Sequence, residues 1–432
     1  MLESILLEYN RSSGKADPPL RVGVYTSPHV EFVRERIRIN GAPISERDFA
    51  AAFFRLWDLV QAIDERERPF LSFFTFMTLL MFRVFLDKGV DCAIVETGIG
   101  GRGDPTNILP RPHVTAITRL DFDHVSMLGH TIEEIAYHKG GISKPGATAL
   151  TMEQEPEGIS QLRACAEAAN EALGISKPLH KRLRALMGIP GDHQLANAGL
   201  AVDIVEAWLQ KNPPSTAETA MSKEETLPVF IRTGLGRATW SGRSDVQLTK
   251  EVAYFIDGAH TSESMRCAAA WYATAFTKTS YSRAALIFNR TEGNKHELLR
   301  VLYHTLRRLQ NETDSPVFEL VVFCTNALTP HIHATPDLMS LNPVSEPDTS
   351  QQECLAETWE TLDSGRSEVQ VVRSVAQAME IVGTPVQGLR RDSKSEDTRS
   401  RQQQQQHTAC LVTGSLKLVG PCLTILRGGV DV

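Results

Sequence analysis

The segment Glu96-Thr-Gly-Ile-Gly-Gly-Arg-Gly-Asp-Pro-Thr-Asn-Ile108 places a carboxylate directly ahead of a run of glycines. The apolar stretch Asp91–Glu96 before it reads as a strand. Glu96 therefore stands where a parallel sheet presents ligand-binding groups, beyond the carboxyl end of a strand. A carboxylate there can hold Mg²⁺, a hard cation that prefers oxygen and bridges to nucleotide phosphates. Gly98, Gly100 and Gly101 would let a substrate approach the backbone closely. A glycine-rich turn with a solvated glutamate explains this segment alone equally well.

Two further strand ends favour the metal and phosphate reading. Thr26-Ser27-Pro28-His29 follows the strand pattern Arg21–Thr26, with Glu35-Arg-Ile-Arg-Ile-Asn-Gly41 behind it. Leu120-Asp-Phe-Asp-His124 follows the strand pattern Val114–Thr118. A hydroxyl, a carboxylate and an imidazole thus lie beyond three expected strands, and strands of one parallel sheet would bring those ends together. His138-Lys139-Gly-Gly-Ile-Ser-Lys-Pro-Gly146 begins where a helix, Thr131–Lys139, should stop; Thr131 and Glu134 have the spacing of a capping box.

These groups need an α/β scaffold to hold them. Short apolar runs alternate with helical patterns, as in a parallel sheet covered by helices. Helices are expected at Glu46–Asp64, Phe70–Lys88 and Ala196–Gln210, and Met1–Asn10 reads as the middle of an amphipathic helix. A second series of strands is expected at Tyr254–Ile256, Ala284–Phe288, Glu319–Phe323, Val369–Val372 and Ala409–Val412. At 432 residues, two domains are the natural expectation: 1–240 and 241–432, joined near Trp240–Ser241. Polar, low-complexity stretches near 335–353 and 390–407, and a Pro/Ser/Thr/Glu-rich stretch at 211–228, read as disordered insertions or loops.

Composition narrows the function classes. A net charge of −7 argues against a nucleic-acid-binding surface. No run approaches the ~20 apolar residues of a membrane-spanning helix. Seven scattered cysteines without a CxxC pair point to free thiols in a reducing compartment.

The segments YTSPHVEFVRERIRING, VETGIGGRGDPTNIL, LDFDHVSMLGHTIEEIAYHKGGISKPG, GDHQLANA, FIDGAHT and VTGSLKLVG occur in the order seen in folylpolyglutamate synthases. That family is similar in architecture to the Mur ligases, and the resemblance covers nearly the whole chain. It implies a P-loop-type ATP-binding domain followed by a Rossmann-like domain, with the active site in the cleft between them. It implies ATP-dependent addition of L-glutamate to the γ-carboxylate of folates through an acyl phosphate, by a monomer of the cytoplasm or mitochondrion. By resemblance, Ser27, Glu96 and His124 match magnesium ligands. Lys139 matches a lysine that is carbamylated in some relatives. The same resemblance implies that Gln194 and Asn197 lie near the nucleotide base and that Arg243 and Asp257 contact ATP. His260 and Ser415 lie in segments that resemble the family's glutamate side, which implies His260 and Lys139 in the catalytic set. ATP and Mg²⁺ are the implied cofactors, with a monovalent cation such as K⁺ as a possible third. Other readings are a non-catalytic folate-binding remnant and a dihydrofolate synthase or Mur-like amide ligase. Several residues also have plain structural roles: Lys139 could complement a helix dipole, and Asp257 and His260 could cap the helix near Thr261.

The resemblance also implies a GT[KN]GKGS-type loop ahead of the first helix. Its backbone N–H groups would cradle phosphates. The 432 residues contain no such segment, and Ser12-Ser13-Gly14-Lys15 lacks its pattern. The expectation is an N-terminally incomplete chain, impaired or inactive as written. Isothermal titration should then show little Mg·ATP affinity for the 432-residue chain, and no folate-dependent ADP release. A protein extended upstream through the native strand and loop should recover both. Robust glutamate ligation by the 432 residues alone would overturn this expectation.

Overall fold

The computed structural model describes residues 1–12, 19–67, 69–212, 227–278, 281–291, 293–311, 315–329, 348–384 and 408–428. Ser13–Lys15, most of the 211–228 stretch, the 335–353 insertion as far as residue 347, and the whole 390–407 insertion lie outside them. The chain divides into two compact units, Met1–Thr239 and Trp240–Val432.

In the first unit, α1 (Leu2–Ser12) leads to β1 (Val22–Tyr25), β2 (Ile37–Ile39) and β3 (Ala42–Pro43). Next come α2 (Glu46–Gln61), α3 (Phe73–Lys88) and β4 (Cys92–Val95), then β5 (Val114–Ile117), the single turn α4 (Val125–Leu128) and α5 (Ile132–Gly140). The unit closes with β6 (Thr148–Met152), α6 (Pro156–Ala168), β7 (Leu173–Ser176), α7 (Gln194–Lys211) and α8 (Val229–Arg237).

Local chemistry sets several of these boundaries. The Ser45 hydroxyl accepts from the Asp48 amide and starts α2. The Ser72 hydroxyl does the same for Thr75. That cap starts α3 at Phe73, three residues after the apolar run itself begins. Gly89, at φ 60°, ends α3 in the left-handed conformation that glycine adopts without steric cost. The Thr131–Glu134 capping box forms at α5 as its spacing indicates.

The strands of this unit do not make one parallel sheet. One sheet runs β3-β2-β1-β4 and a separate parallel sheet runs β5-β6-β7, so among the described residues β4 and β5 each lie on a sheet edge. β1 pairs with β4 in parallel, Tyr25 opposite Val95. It pairs with β2 in antiparallel fashion, Tyr25 opposite Ile37. The short Thr26–Arg36 connection carries no crossover helix, so the ERIRING segment can only fold back beside β1.

The second unit holds β8 (Asp245–Leu248), β9 (Val252–Asp257), α9 (Ser262–Lys278), β10 (Arg283–Phe288) and α10 (Lys295–Leu309). It continues with β11 (Leu320–Cys324), α11 (Ser350–Asp363), β12 (Glu368–Val372), α12 (Val375–Gly383), β13 (Thr408–Thr413) and α13 (Leu416–Leu426). The sheet order is β12-β11-β10-β13-β9-β8. Its pairings are parallel apart from β8 on β9. Near-continuous apolar strands suit a sheet covered on both faces, and β9 and β11 are buried at every residue. The last residues of the expected 335–353 insertion belong instead to α11. Gln352 is buried there and Leu355 and Trp359 enter the core on the same helix face, a helical spacing that outweighs the polar composition of the segment.

α7 packs tightly on the chain after β7. A Cβ on Gly199 would overlap the carbonyl oxygen of Lys177. Gly199→Ala should therefore lower stability by about 2 kcal/mol or more in urea melts, since backbone must move to admit it. At Gly383, the last residue of α12, a Cβ would meet nothing within 4 Å. Gly383→Ala should change stability by no more than about 1 kcal/mol, and toward the folded state.

Candidate functional site

Parallel pairing carries the ends of β1 and β4 out of the sheet together. The Glu96 amide continues the ladder to the Tyr25 carbonyl at 2.9 Å. The Ser27 amide then donates to Glu96 Oε2 at 2.9 Å. Two of the residues expected to ligate metal are thus held side by side, with the Glu96 side chain open to solvent.

The turn bearing Ser27 is fastened from below. Glu35 accepts from the amides of Val30, Glu31 and Phe32, folding that turn around one carboxylate. Arg36 is buried beneath it. Its Nε donates to His29 Nδ1 at 3.0 Å, and its guanidinium lies over the Phe73 ring, 5.3 Å from the centroid. Burial, with the Arg36 charge nearby, pushes the His29 pKa down to about 4. His29 is therefore a neutral acceptor at pH 7. Burial disfavours the Arg36 cation, which Tyr25 and Glu96 oppose electrostatically.

Beyond Glu96 the glycine loop folds around Asp104. Asp104 Oδ2 accepts from the amides of Gly98 and Ile99, both at 3.0 Å. Its Oδ1 accepts from the Thr106 amide at 3.0 Å and the Thr106 hydroxyl at 2.6 Å. The loop then rests on the end of α5. Arg102 N–H donates to the His138 carbonyl at 2.8 Å, and Arg102 stacks over the Tyr137 ring at 4.0 Å. A Cβ at Gly101 would lie 2.9 Å from the carbonyl oxygens of both His138 and Lys139, which is why this position needs glycine.

Lys139 lies in the last turn of α5, favourable for a cation at a helix C-terminus. Burial lowers its pKa, and nearby Asp123 opposes that shift. Asp123 also accepts from the His124 amide at 2.8 Å, and His124 Nε2 lies 3.7 Å from Asp123 Oδ2. His124 adopts a left-handed backbone, φ 50°, where the chain turns into α4. His124 thus clusters with Asp123 and Lys139 after β5, whereas Ser27 and Glu96 follow β1 and β4 in the other sheet. Among the described residues no three His, Cys, Asp or Glu side chains gather as a metal site. The expected set contributes only two such groups and a hydroxyl.

At the start of α7, Gln194 Nε2 donates to His193 Nε2 at 2.9 Å, and Asn197 Nδ2 donates to Gln194 Oε1 at 3.0 Å. The two expected nucleotide-side amides are therefore linked in one chain with His193.

In the second unit Asp257 ends β9. Its Oδ2 accepts from the Ser244 amide at 2.8 Å, and Arg243 Nη1 lies 3.8 Å from Oδ1. His260 Nδ1 lies 3.0 Å from the Gly258 carbonyl, which can only accept, so Nδ1 donates to it. Thr261 Oγ1 accepts from the Ser264 amide in the first turn of α9. Ser415 is the N-cap of α13, its hydroxyl accepting from Leu418 at 3.2 Å.

Sequence reasoning missed three organising residues: Asp104, Arg36 and Asn289. Asn289, fully buried at the end of β10, donates to Asn326 and accepts from Gln352, both at 2.8 Å. Only Asp104 had a readable signal, since Asp-Pro-Thr has the form of a capped short helix.

No family model matches the chain. A probable folylpolyglutamate synthase of Schizosaccharomyces pombe is 34% identical over 434 residues, covering 99% of this chain and 81% of that protein. The folylpolyglutamate synthase of Saccharomyces cerevisiae strain S288c is 34% identical over 417 residues, covering 94% of this chain and 71% of that one. Among solved structures, Mycobacterium tuberculosis folylpolyglutamate synthase complexed with ADP and AMPPCP superposes with a TM-score of 0.73 at 23% identity, over 99% of this chain and 88% of that one. Escherichia coli FolC in complex with DHPP and ADP gives 0.66 at 20% identity, over 99% and 86%. These two likenesses concern the fold. The sequence likeness, extending through every segment that supplies the strand-end groups above, is what places this chain in the folylpolyglutamate synthase family.

Proposed function

We propose that this protein joins L-glutamate to the γ-carboxyl group of a folate or folylpolyglutamate, with ATP converted to ADP and phosphate. The observation that carries this reading is the Ser27–Glu96 pair at adjoining strand ends, beside a glycine loop fastened to the helix that bears Lys139. Membership of the family supplies the substrate class.

A carboxylate is a poor acceptor for an amine, because its leaving group would be oxide. In the proposed reaction a γ-carboxylate oxygen of folate bonds to the γ-phosphorus of ATP. The bond from that phosphorus to the bridging oxygen breaks and ADP departs. The glutamate nitrogen then attacks the acyl carbon, and the carbon–oxygen bond to phosphate breaks. The nitrogen loses a proton, which His260 would take as general base, its ring oriented by the Nδ1 bond to the Gly258 carbonyl. Asp257 and Arg243 would bind the nucleotide, and Gln194 and Asn197 its base. Ser415 would contribute to the glutamate side.

Ser27, Glu96 and His124 would hold Mg²⁺, and the exposed Glu96 carboxylate with the Ser27 hydroxyl offers the hard oxygen donors such an ion prefers. When bound, the ion would neutralise phosphate charge. K⁺ would be an accessory cation. The lowered pKa of Lys139 raises its neutral fraction, and carbamylation requires the neutral amine. Among the described residues no helix is long and apolar enough to cross a membrane. We read the protein as a monomer of a reducing compartment, the cytoplasm or mitochondrion, where its free cysteines would stay thiols.

Protein expressed from its own transcript, given folate, L-glutamate and Mg·ATP, should release ADP in step with folate lengthening by one glutamate, followed by chromatography. Glu96→Ala should lower kcat on the order of 10²-fold or more. ADP release without lengthened folate, or a fully active Glu96→Ala protein, would refute the reading.

A further inference from the structure

We infer that Asp104 is a positioning residue for the reaction proposed above, and that it acts by fixing the glycine loop between Glu96 and Lys139. The inference rests on that functional reading. It begins from the side chain itself, a buried carboxylate whose four hydrogen bonds all come from neutral donors. Two carboxylate oxygens offer about four acceptor sites, so the loop's donors use this side chain fully.

The donors lie on both sides of the loop. Gly98 and Ile99 follow Glu96 by two and three residues, whereas Thr106 opens the short helical turn Pro105–Ile108. Asp104 therefore draws the start and finish of the loop onto one point. Between those anchors, Gly101 and Arg102 meet the His138 and Lys139 carbonyls at the end of α5. Asn107 adds a second fastening, its Nδ2 donating to the Arg102 carbonyl at 3.2 Å and the Gly141 carbonyl at 3.1 Å.

The result is a short mechanical path. Glu96 leaves the sheet of β1 and β4, and α5 packs with α6 beside the other sheet. Among the described residues no strand pairing joins those two sheets. The Asp104-centred loop connects them where the chemistry is proposed. Releasing it would leave Glu96 and Lys139 in place on their own elements but loosen one against the other. A misplacement near 1 Å can cost about 10²-fold in rate.

Asp104→Asn keeps the shape and offers an NH₂ group where one carboxylate oxygen accepts, so two donors would face a donor. In protein expressed from its own transcript, this variant should lower kcat about 100-fold while KM for L-glutamate stays within about twofold, because His260 and Ser415 are untouched. Amide hydrogen exchange should speed at Gly98 and Ile99, while the amides of β1, β4 and α3 keep their protection. Thr106→Val, which removes one of the four bonds and is the milder test of folding, should lower kcat several-fold. Thr106→Ser, which keeps both donors, should restore most of that loss. Asp104→Asn at or near wild-type kcat would overturn the inference, as would equal activity of Thr106→Val and Thr106→Ser. Lost protection throughout β4 and α3 would also overturn it, showing that Asp104 only supports the fold. A wild-type protein without glutamate ligation would instead overturn the functional reading itself.

Discussion

A parallel ladder ends abruptly, and the amides just beyond it must find acceptors that the sheet no longer provides. The loops that carry Ser27 and Glu96 are shaped by how this chain meets that requirement. At β1 and β4 the acceptors are carboxylates: Glu96 for Ser27, Glu35 for Val30 to Phe32, Asp104 for Gly98 and Ile99. Each shapes a loop by collecting backbone N–H groups. Glu96 nevertheless stays at the surface, its Oε2 holding the Ser27 amide while the residue remains exposed to solvent.

Beneath those loops lies a second constraint. Arg36 is a buried cation, costly unless its donors and charge are answered. It is met by a neutral His29, the face of Phe73, and the field of Glu96 and Tyr25. The His29 pKa of about 4 keeps that imidazole an acceptor at neutral pH. Below pH 6.5 the unfolded chain binds this proton and the folded one resists it. The burial of neutral His29 therefore weighs against the fold as pH falls from about 6.5 toward 4.

The second unit solves the same problem with a carboxylate, side-chain amides and backbone. Asp257 accepts from the Ser244 amide, the Gly258 carbonyl accepts a hydrogen bond from His260 Nδ1, and Asn289 bridges Asn326 and Gln352. Gly414, at φ 116°, lets the chain leave β13 close to the Asn289 carbonyl and enter α13 at its Ser415 cap. His260 and Ser415 are thereby held by contacts within their own unit.

Much of this was legible from local patterns. Apolar runs, caps and glycines place β1, β4, β5, β9, β10, β11 and β13 within a residue or two. The order of motifs indicates the family, and the Thr131–Glu134 spacing alone predicts the start of α5. Such features depend on neighbours in the chain, where propensity and capping act. What the sequence could not determine was pairing between distant segments. The antiparallel return of β2, the division of the first unit into two sheets, and the helical turn at Ser350–Glu353 all depend on which surfaces lie opposite. The roles of Arg36 and Asn289 were hidden for the same reason, and at Asp104 only the cap of a short helical turn was readable. A polar residue reads alike in any sequence, and only burial among specific donors and acceptors turns it into the support of a site.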